Sequence, residues 1–600
     1  MAKSLDKDKN PSHNSAKTSK QSRDAILKYS LYLSFVALLI LLSITLISGE
    51  DDFFWHLASG KYIVENMKVP STDVFSHVTY GQQWIPFEWG WDVMTFLIFN
   101  SLGYPGIYIF KIILILLIFL VYSRILDRLK LGDSLKITFL LILCWGMLFR
   151  FSIRPHLISY LFYVLILYII ISYKYFDRQN YKRLYYLPII FLIWANLHIG
   201  VIIGAFIFTL FVISEVVIYL LPGRFSGQGI AALNKKEMSR LFIMYVVCLA
   251  VMLINPNGIL TYLYAYSLTS SKLIYELGEY KSPFDSIFNS SLAMTTYKIM
   301  LGCGIFALIY SLKKKDLFAF LLFAFFAIYS LRGARFAIDY NIIASFPIFM
   351  GILYLIRQSK RKGFKDFVTA HYGFKLILMV VMLFMIVNIP NDFLFNGIFR
   401  YYRRWGVGID REFFSQPMFD FAKSIKLNEI GERPFNNYTC GGLFLWNFPG
   451  SKNFIDSRYV NDQVYSEYGI INSMKAGFVD RINKYGIDYV IYEVAEMRDN
   501  PRSLGTSVVA YLSQKSDEWK LIYWDDISFI FVKNIPKFEQ IISKYEYKYV
   551  TPINYFFKKQ QLDKAYLENK ERFIYEVKRK LKEEPNGDII RTFTIAYGVK

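Results

Sequence analysis

Apolar runs of near membrane-spanning length recur along the first 390 residues, separated by short polar segments. A helix needs about 20 apolar residues to cross a bilayer. The runs fall at about 29–47, 104–123, 137–149, 157–173, 184–196, 199–221, 241–254, 293–311, 316–331, 336–356 and 373–390, which predicts about eleven transmembrane helices. Between the first two, the stretch 53–100 mixes aromatics, Pro70, Pro86 and charges. That mixture predicts a loop with amphipathic helices at the membrane interface. From Asn391 the pattern shortens. NYTCGGLFLWNFPGSKNFIDSRYV, KYGIDYVIYEV and WKLIYWDDISFIFVKN read as short strands alternating with helical stretches at Val479 to Lys484 and Ser507 to Lys515, an α/β pattern. After residue 537, Lys/Glu-rich helical segments such as LENKERFIYEVKRKLKEE take over.

Composition agrees with a polytopic membrane protein: 54% of residues are hydrophobic, 18% aromatic, and the mean hydropathy is +0.29. The net charge of +21 raises nucleic acid as a partner. Its Lys and Arg residues, however, sit in short clusters between apolar runs, the signature of cytoplasmic loops, and the charge is read as topology with no nucleic-acid partner. Residues 1–28 carry seven Lys/Arg against three Asp and are expected to form a disordered cytoplasmic tail. The first helix then runs outward. The expected organisation is the tail at 1–28, a transmembrane domain at 29–390 with an external loop at 49–103, an extracytoplasmic α/β domain at 391–537 and a helical extension at 538–600. Four cysteines without a CxxC pair offer neither a disulfide framework nor a thiol site.

With that topology the generic Lys/Arg clusters fall on one side, and every cluster of unusual composition falls on the other: EDDFFWH, RPH, NLH, NPNG and RGAR. Ionisable groups at membrane depth are costly, so their gathering on one side marks a candidate site. Glu50, Asp51 and Asp52 follow the first helix; crowded carboxylates raise one another's pKa and suit a metal ion or a general base. His56, four residues after Asp52, shares a helical face with it and is poised between a structural and a functional role. Arg154 and His156 offer donors matched to phosphate, or an interfacial anchor. Asn196 and His198 interrupt an apolar helix, Arg332 and Arg335 run against the positive-inside bias, and Glu88 sits among aromatics. Such a set suits group transfer from a lipid-linked phosphate, a base deprotonating the acceptor while cations hold the departing phosphate.

These motifs resemble those of a known class. An acidic E/D-x-D motif after the first helix, here Glu50-Asp51-Asp52, is similar to the hallmark of the membrane-embedded C-type glycosyltransferases, which use polyprenyl-phosphate-linked sugars. Within it the chain resembles a bacterial group akin to lipopolysaccharide-modifying, aminoarabinose and protein-mannosyl transferases, through EDDFFWHL, VPSTDVFS, FEWGWD, RPH, WANLH, NPNG, CGGLFLW and FIDSR in that order. The resemblance covers roughly residues 50–460. It implies an α-helical GT-C-like bundle with a soluble extracytoplasmic domain, in a bacterial cytoplasmic membrane, N-terminus inside. It also implies Asp52 as base and Glu50 as its support; both would hold a divalent cation such as Mg or Mn if one is needed. The acceptor would be an envelope glycan, lipid or protein. Asp456 and Arg458 of FIDSR are read as either an acceptor-side contact or loop-docking element, or a structural ion pair. Two other classes stay open: a transporter or flippase for a lipid-linked saccharide, and a non-catalytic envelope-assembly protein.

Overall fold

The structure, a computed structural model, describes residues 11–48, 52–225, 232–271, 276–360, 363, 372–398, 403–458 and 460–599. Residues 1–10 of the expected tail, together with Glu50 and Asp51, lie outside the described residues.

Each apolar run carries a helix. The first seven helices of the chain are α1 (Pro11–Ser43), α2 (Phe53–Asn66, in the stretch between the first two runs), α3 (Trp89–Arg128), α4 (Asp133–Met147), α5 (His156–Ile171), α6 (Tyr186–Ala195) and α7 (Val201–Leu220). Five helices among the described residues are long and apolar enough to cross a membrane alone: Asp24–Ser43, Trp89–Arg128, His156–Phe176, Val201–Leu220 and Leu292–Lys314. A sixth arises if Ala334–Ile343 and Ser345–Gln358, bent by 48°, form one span; Leu317–Ser330 and Tyr372–Asn388 are shorter apolar helices. The stretch 89–100, expected as a separate interfacial element, joins the second span in one 40-residue helix broken at Gly103, whose φ of 60° only glycine adopts freely, two residues before Pro105.

α2 lies along α3, and glycine sets how closely. A Cβ on Gly60 would stand 2.1 Å from the Asp92 carbonyl oxygen and 2.7 Å from Phe96 Cβ, so only a bare backbone fits. Gly60→Ala is expected to destabilise the protein by about 1–3 kcal/mol through overpacking, more than the ~1 kcal/mol of helix propensity it gains. A lowered thermal unfolding midpoint in detergent checks this; an unchanged or higher midpoint contradicts it.

Beyond residue 403 a four-stranded sheet has the order β1-β2-β4-β3, from β1 (Pro434–Asn436), β2 (Tyr489–Glu493), β3 (Trp519–Trp524) and β4 (Ser528–Lys533). β1 and β2 are parallel, the other pairs antiparallel. Because side chains alternate along a strand, Tyr489, Ile491, Ile530 and Val532 join the core that runs through the helical bundle, while Val490, Tyr492, Phe529 and Phe531 pack with Phe573, Val577 and Phe593 of the C-terminal helices. Burial on both faces explains the unbroken apolar runs.

The stretch 437–460, expected to hold short strands, contains no named strand among its described residues, and part of it is a helix. GGLFLW forms Gly441–Asn447, because tertiary packing overrides its β-like composition. A Cβ at Gly441 would lie 2.1 Å from the Ile455 carbonyl oxygen, and one at Gly442 3.2 Å from the Trp55 nitrogen. The two glycines let this helix dock against both α2 and the 455 segment.

Candidate active site

Asp52 opens α2 in the left-handed region (φ 31°) and does not cap the helix with its side chain. Its carboxylate is paired instead with the Arg154 guanidinium, from the turn preceding α5. Asp tolerates this backbone region better than most residues.

One turn on, His56 and Ser59 face α3 across the contact that Gly60 permits. The His56 Nδ1 lies 2.6 Å from Asp92 Oδ1, and the Ser59 hydroxyl donates to Asp92 Oδ2 at 2.6 Å. Burial works against a charged His56, but the carboxylates of Asp92, Glu88 and Asp52 outweigh it and hold its pKa above the ordinary value. The helical spacing of Asp52 and His56 is thus real, yet the imidazole serves Asp92.

Glu88, immediately before α3, stands between two imidazoles: Oε2 is 3.8 Å from His56 Nε2 and Oε1 is 3.4 Å from His198 Nε2. Burial pushes its pKa up to about 7, against the pull of His56. His198 lies in the turn between α6 and α7. Its Nδ1 accepts from the Gly200 N–H at 3.1 Å and faces the Ser159 hydroxyl at 2.5 Å. Ser159 already accepts from Trp194 Nε1 at 2.8 Å, so its proton is free for the imidazole. That assigns the His198 proton to Nε2, toward Glu88. Burial, reinforced by Arg335, lowers its pKa to about 3 and keeps it neutral.

Arg154 also approaches Glu279 (4.0 Å), which pairs with Arg150 at 2.6 Å and Arg335 at 3.2 Å. Arg335 further donates to the Tyr280 hydroxyl. Three guanidiniums therefore converge on one carboxylate, and despite burial they hold Glu279 far below the ordinary carboxylate range. Such a cluster can exchange its carboxylate for phosphate oxygens.

The other expected residues have different surroundings. His156 Nε2 contacts the Arg150 carbonyl oxygen at 2.9 Å and fixes the backbone that carries Arg150. The Asn196 amide accepts from Trp89 Nε1 (3.2 Å) and donates to the Leu192 and Ile254 carbonyls (both 2.9 Å), while its own carbonyl accepts from the Gly90 N–H at 3.0 Å. It pins the start of α3, beside Glu88. Arg332 is exposed and makes no ion pair among the described residues. Glu50 lies outside them. Asp456 and Arg458 form a buried cluster with Asp73 of the first loop: Arg458 donates to Asp73 at 2.8 Å and to Asp456 at 2.6 and 2.7 Å. No group of three His, Cys, Asp or Glu side chains among the described residues is arranged to hold a metal ion.

Four partners were not singled out from the sequence. Asp92 stands in FEWGWD four residues after Glu88, where a helix start places both on one side. Arg150 precedes RPH, and Ser159 lies three residues after His156 within an apolar helix. Glu279 sits in YELGEYKSP, where nothing local distinguishes it from Glu276.

The fold is similar to that of the apo oligosaccharyltransferase of Archaeoglobus fulgidus, with 11% identity, 84% of this chain and 74% of that one covered, and a TM-score of 0.52. The same archaeal protein in complex with an inhibitory peptide and a dolichol-phosphate aligns at 10% identity over 85% of this chain and 75% of that one, TM-score 0.47. The mycobacterial arabinofuranosyltransferase AftD aligns at 12% identity over 85% and 42%, TM-score 0.49. No protein-family model matches the chain, and no curated protein matches it.

Proposed function

We propose that this protein is a membrane glycosyltransferase that moves a sugar from a polyprenyl-phosphate-linked donor to an acceptor on the outer face of a bacterial cytoplasmic membrane. The observation that carries the reading is the convergence of Arg150, Arg154 and Arg335 beside Asp52 and Glu88 at one end of the helical bundle. Cations around a displaceable carboxylate suit a lipid phosphate that becomes the leaving group, and carboxylates next to them suit removal of the acceptor proton. The likeness to an oligosaccharyltransferase supports the reading at the level of fold.

In this reading the eleven apolar runs are spans, the N-terminus is cytoplasmic, and the sheet-bearing region from 391 onward, with its helical extension, lies outside as the acceptor-facing part. Arg154 and Arg335 hold the donor phosphate. Asp52 ties the first loop to Arg154. Arg458 with Asp456 docks that loop on the outer region. A divalent cation, if bound, would draw on Glu50 and Asp52; no step is routed through it.

The test is turnover by purified protein in nanodiscs, offered a set of polyprenyl-phosphate sugars with envelope glycan, lipid and peptide acceptors. The wild type is expected to release lipid phosphate from at least one donor, and Asp52→Asn, which weakens the hold on Arg154 and so misplaces the donor phosphate, to lower turnover about 100-fold, with an unchanged unfolding midpoint. A wild type that neither consumes nor binds any donor sinks the transferase reading. Undiminished turnover in the variant removes Asp52 from the mechanism.

A further inference from the structure

Asp52 and Glu88 both stand at the site, but their surroundings differ. Asp52 is engaged through Oδ2 by the Arg154 guanidinium. Glu88 makes no hydrogen bond among the described residues through its carboxyl oxygens. Its two imidazole neighbours stand at 3.4 and 3.8 Å, beyond a normal hydrogen bond. Its side chain retains 15% exposure.

The imidazoles are themselves held from behind. Asp92 and Ser59 fix His56; Ser159, Trp194 and the Gly200 amide fix His198. Each presents Nε2 to one oxygen of the same carboxyl group. Such double bracketing aims the carboxylate while leaving its lone pairs free, which structural packing alone does not require.

We infer that Glu88, not Asp52, accepts the proton of the acceptor hydroxyl, with His56 and His198 as positioning residues; the inference rests on the transferase reading above. In the step, the acceptor oxygen bonds to the anomeric carbon as that carbon's bond to the phosphate oxygen breaks. The bonding pair leaves on the lipid phosphate beside the arginines, and the hydroxyl proton passes to the Glu88 carboxylate. The groups facing Glu88 are His56 and Asp52 from α2, Asp92 from α3, Arg154 from the turn before α5 and His198 from the turn before α7. With its pKa pushed to about 7 by burial, Glu88 is ionised on the alkaline side, so turnover should rise as pH increases through neutrality.

The test compares wild type, Glu88→Gln, Glu88→Asp and Asp52→Asn in nanodiscs with the donor the wild type consumes. Glu88→Gln is expected to lower kcat at least 100-fold with the donor KM within threefold, and its residual rate should be flat between pH 6 and 8, the window around about 7 in which a base of this kind titrates. Glu88→Asp, which keeps the carboxylate, should restore part of kcat and the rising limb. A Glu88→Gln kcat within threefold of wild type overturns the inference while leaving the transferase reading intact. So does a rising limb that survives in Glu88→Gln but is lost in Asp52→Asn. Should Glu88→Gln not fold, a Glu88→Asp profile identical to wild type in rate and pH dependence counts equally against it. A wild type that consumes no donor takes down both readings.

Discussion

Replacing Arg458 by Met is expected to weaken docking of the first loop by about 3–5 kcal/mol, the range for removing one partner from a buried ion cluster. The Arg458 guanidinium is 1% exposed, and the carboxylates it joins, Asp73 and Asp456, are 0% and 1% exposed. It donates to both in a fork and lies 4.7 and 4.8 Å from the ring centroids of Phe75 and Trp84. Met keeps the volume and the aromatic contact but leaves two buried carboxylates without their cation.

Hydrogen exchange is the measurement. Amides of residues 71–84 and 453–458, which the pairing of Ser76 with Asn453 ties together, should open far more often in the variant. The pH dependence supplies a sign. Burial alone would raise the Asp73 pKa, but Arg458 and the Thr79 hydroxyl bring it below its ordinary 3.8, so wild-type docking is full above that value and weakens as pH falls below it. In the variant the unpaired, buried Asp73 has a raised pKa. Its contribution is then greatest at low pH and is lost as pH rises, so docking should recover on acidification. Protection equal to wild type at neutral pH would assign the docking to the backbone contacts alone.

Glu279→Gln should lower stability by about 3 kcal/mol, at the low end of the same range because Glu279 retains 18% exposure. Three guanidiniums converge on this carboxylate, and Arg150, only 6% exposed, would keep a buried charge with no counter-ion. The unfolding midpoint in detergent reports the loss. Because the arginines hold Glu279 far below its ordinary 4.5, its stabilisation is complete above pH 4.5 and fades as pH falls further. The gap between wild type and variant should therefore shrink below that pH. Adding a phosphate-bearing lipid should narrow it too, since a bound phosphate supplies the missing negative charge. A gap that is absent at pH 7 would mean the arginines are already solvated.

Helix and strand placement was largely legible because it follows local periodicity. The run at 157–173 gave α5, KYGIDYVIYEV gave β2, and WKLIYWDDISFIFVKN gave the β3–β4 hairpin turning at Asp525–Ile527. GGLFLW was not legible. Its glycines are there for close approach to α2 and Ile455, a requirement set by elements far away in the chain. The site shows the same division. Arg154, His198 and Glu88 stood out because charge inside or beside apolar sequence is costly. Asn196 carried the same signal, yet its amide is engaged in pinning the start of α3.

What the sequence alone determined is which side chains are chemically out of place, and that they fall at alternate ends of successive apolar runs; burial energy and helix period settle both. Which of them meet was decided by tertiary structure. The missing Cβ of Gly60 brings His56 to Asp92, and the loop at 278–280 inserts Glu279 among arginines from the turn before α5 and from the Ala334–Ile343 helix. Contacts between segments 36 to 129 residues apart rest on shape and charge complementarity of surfaces that exist only once the helices have packed.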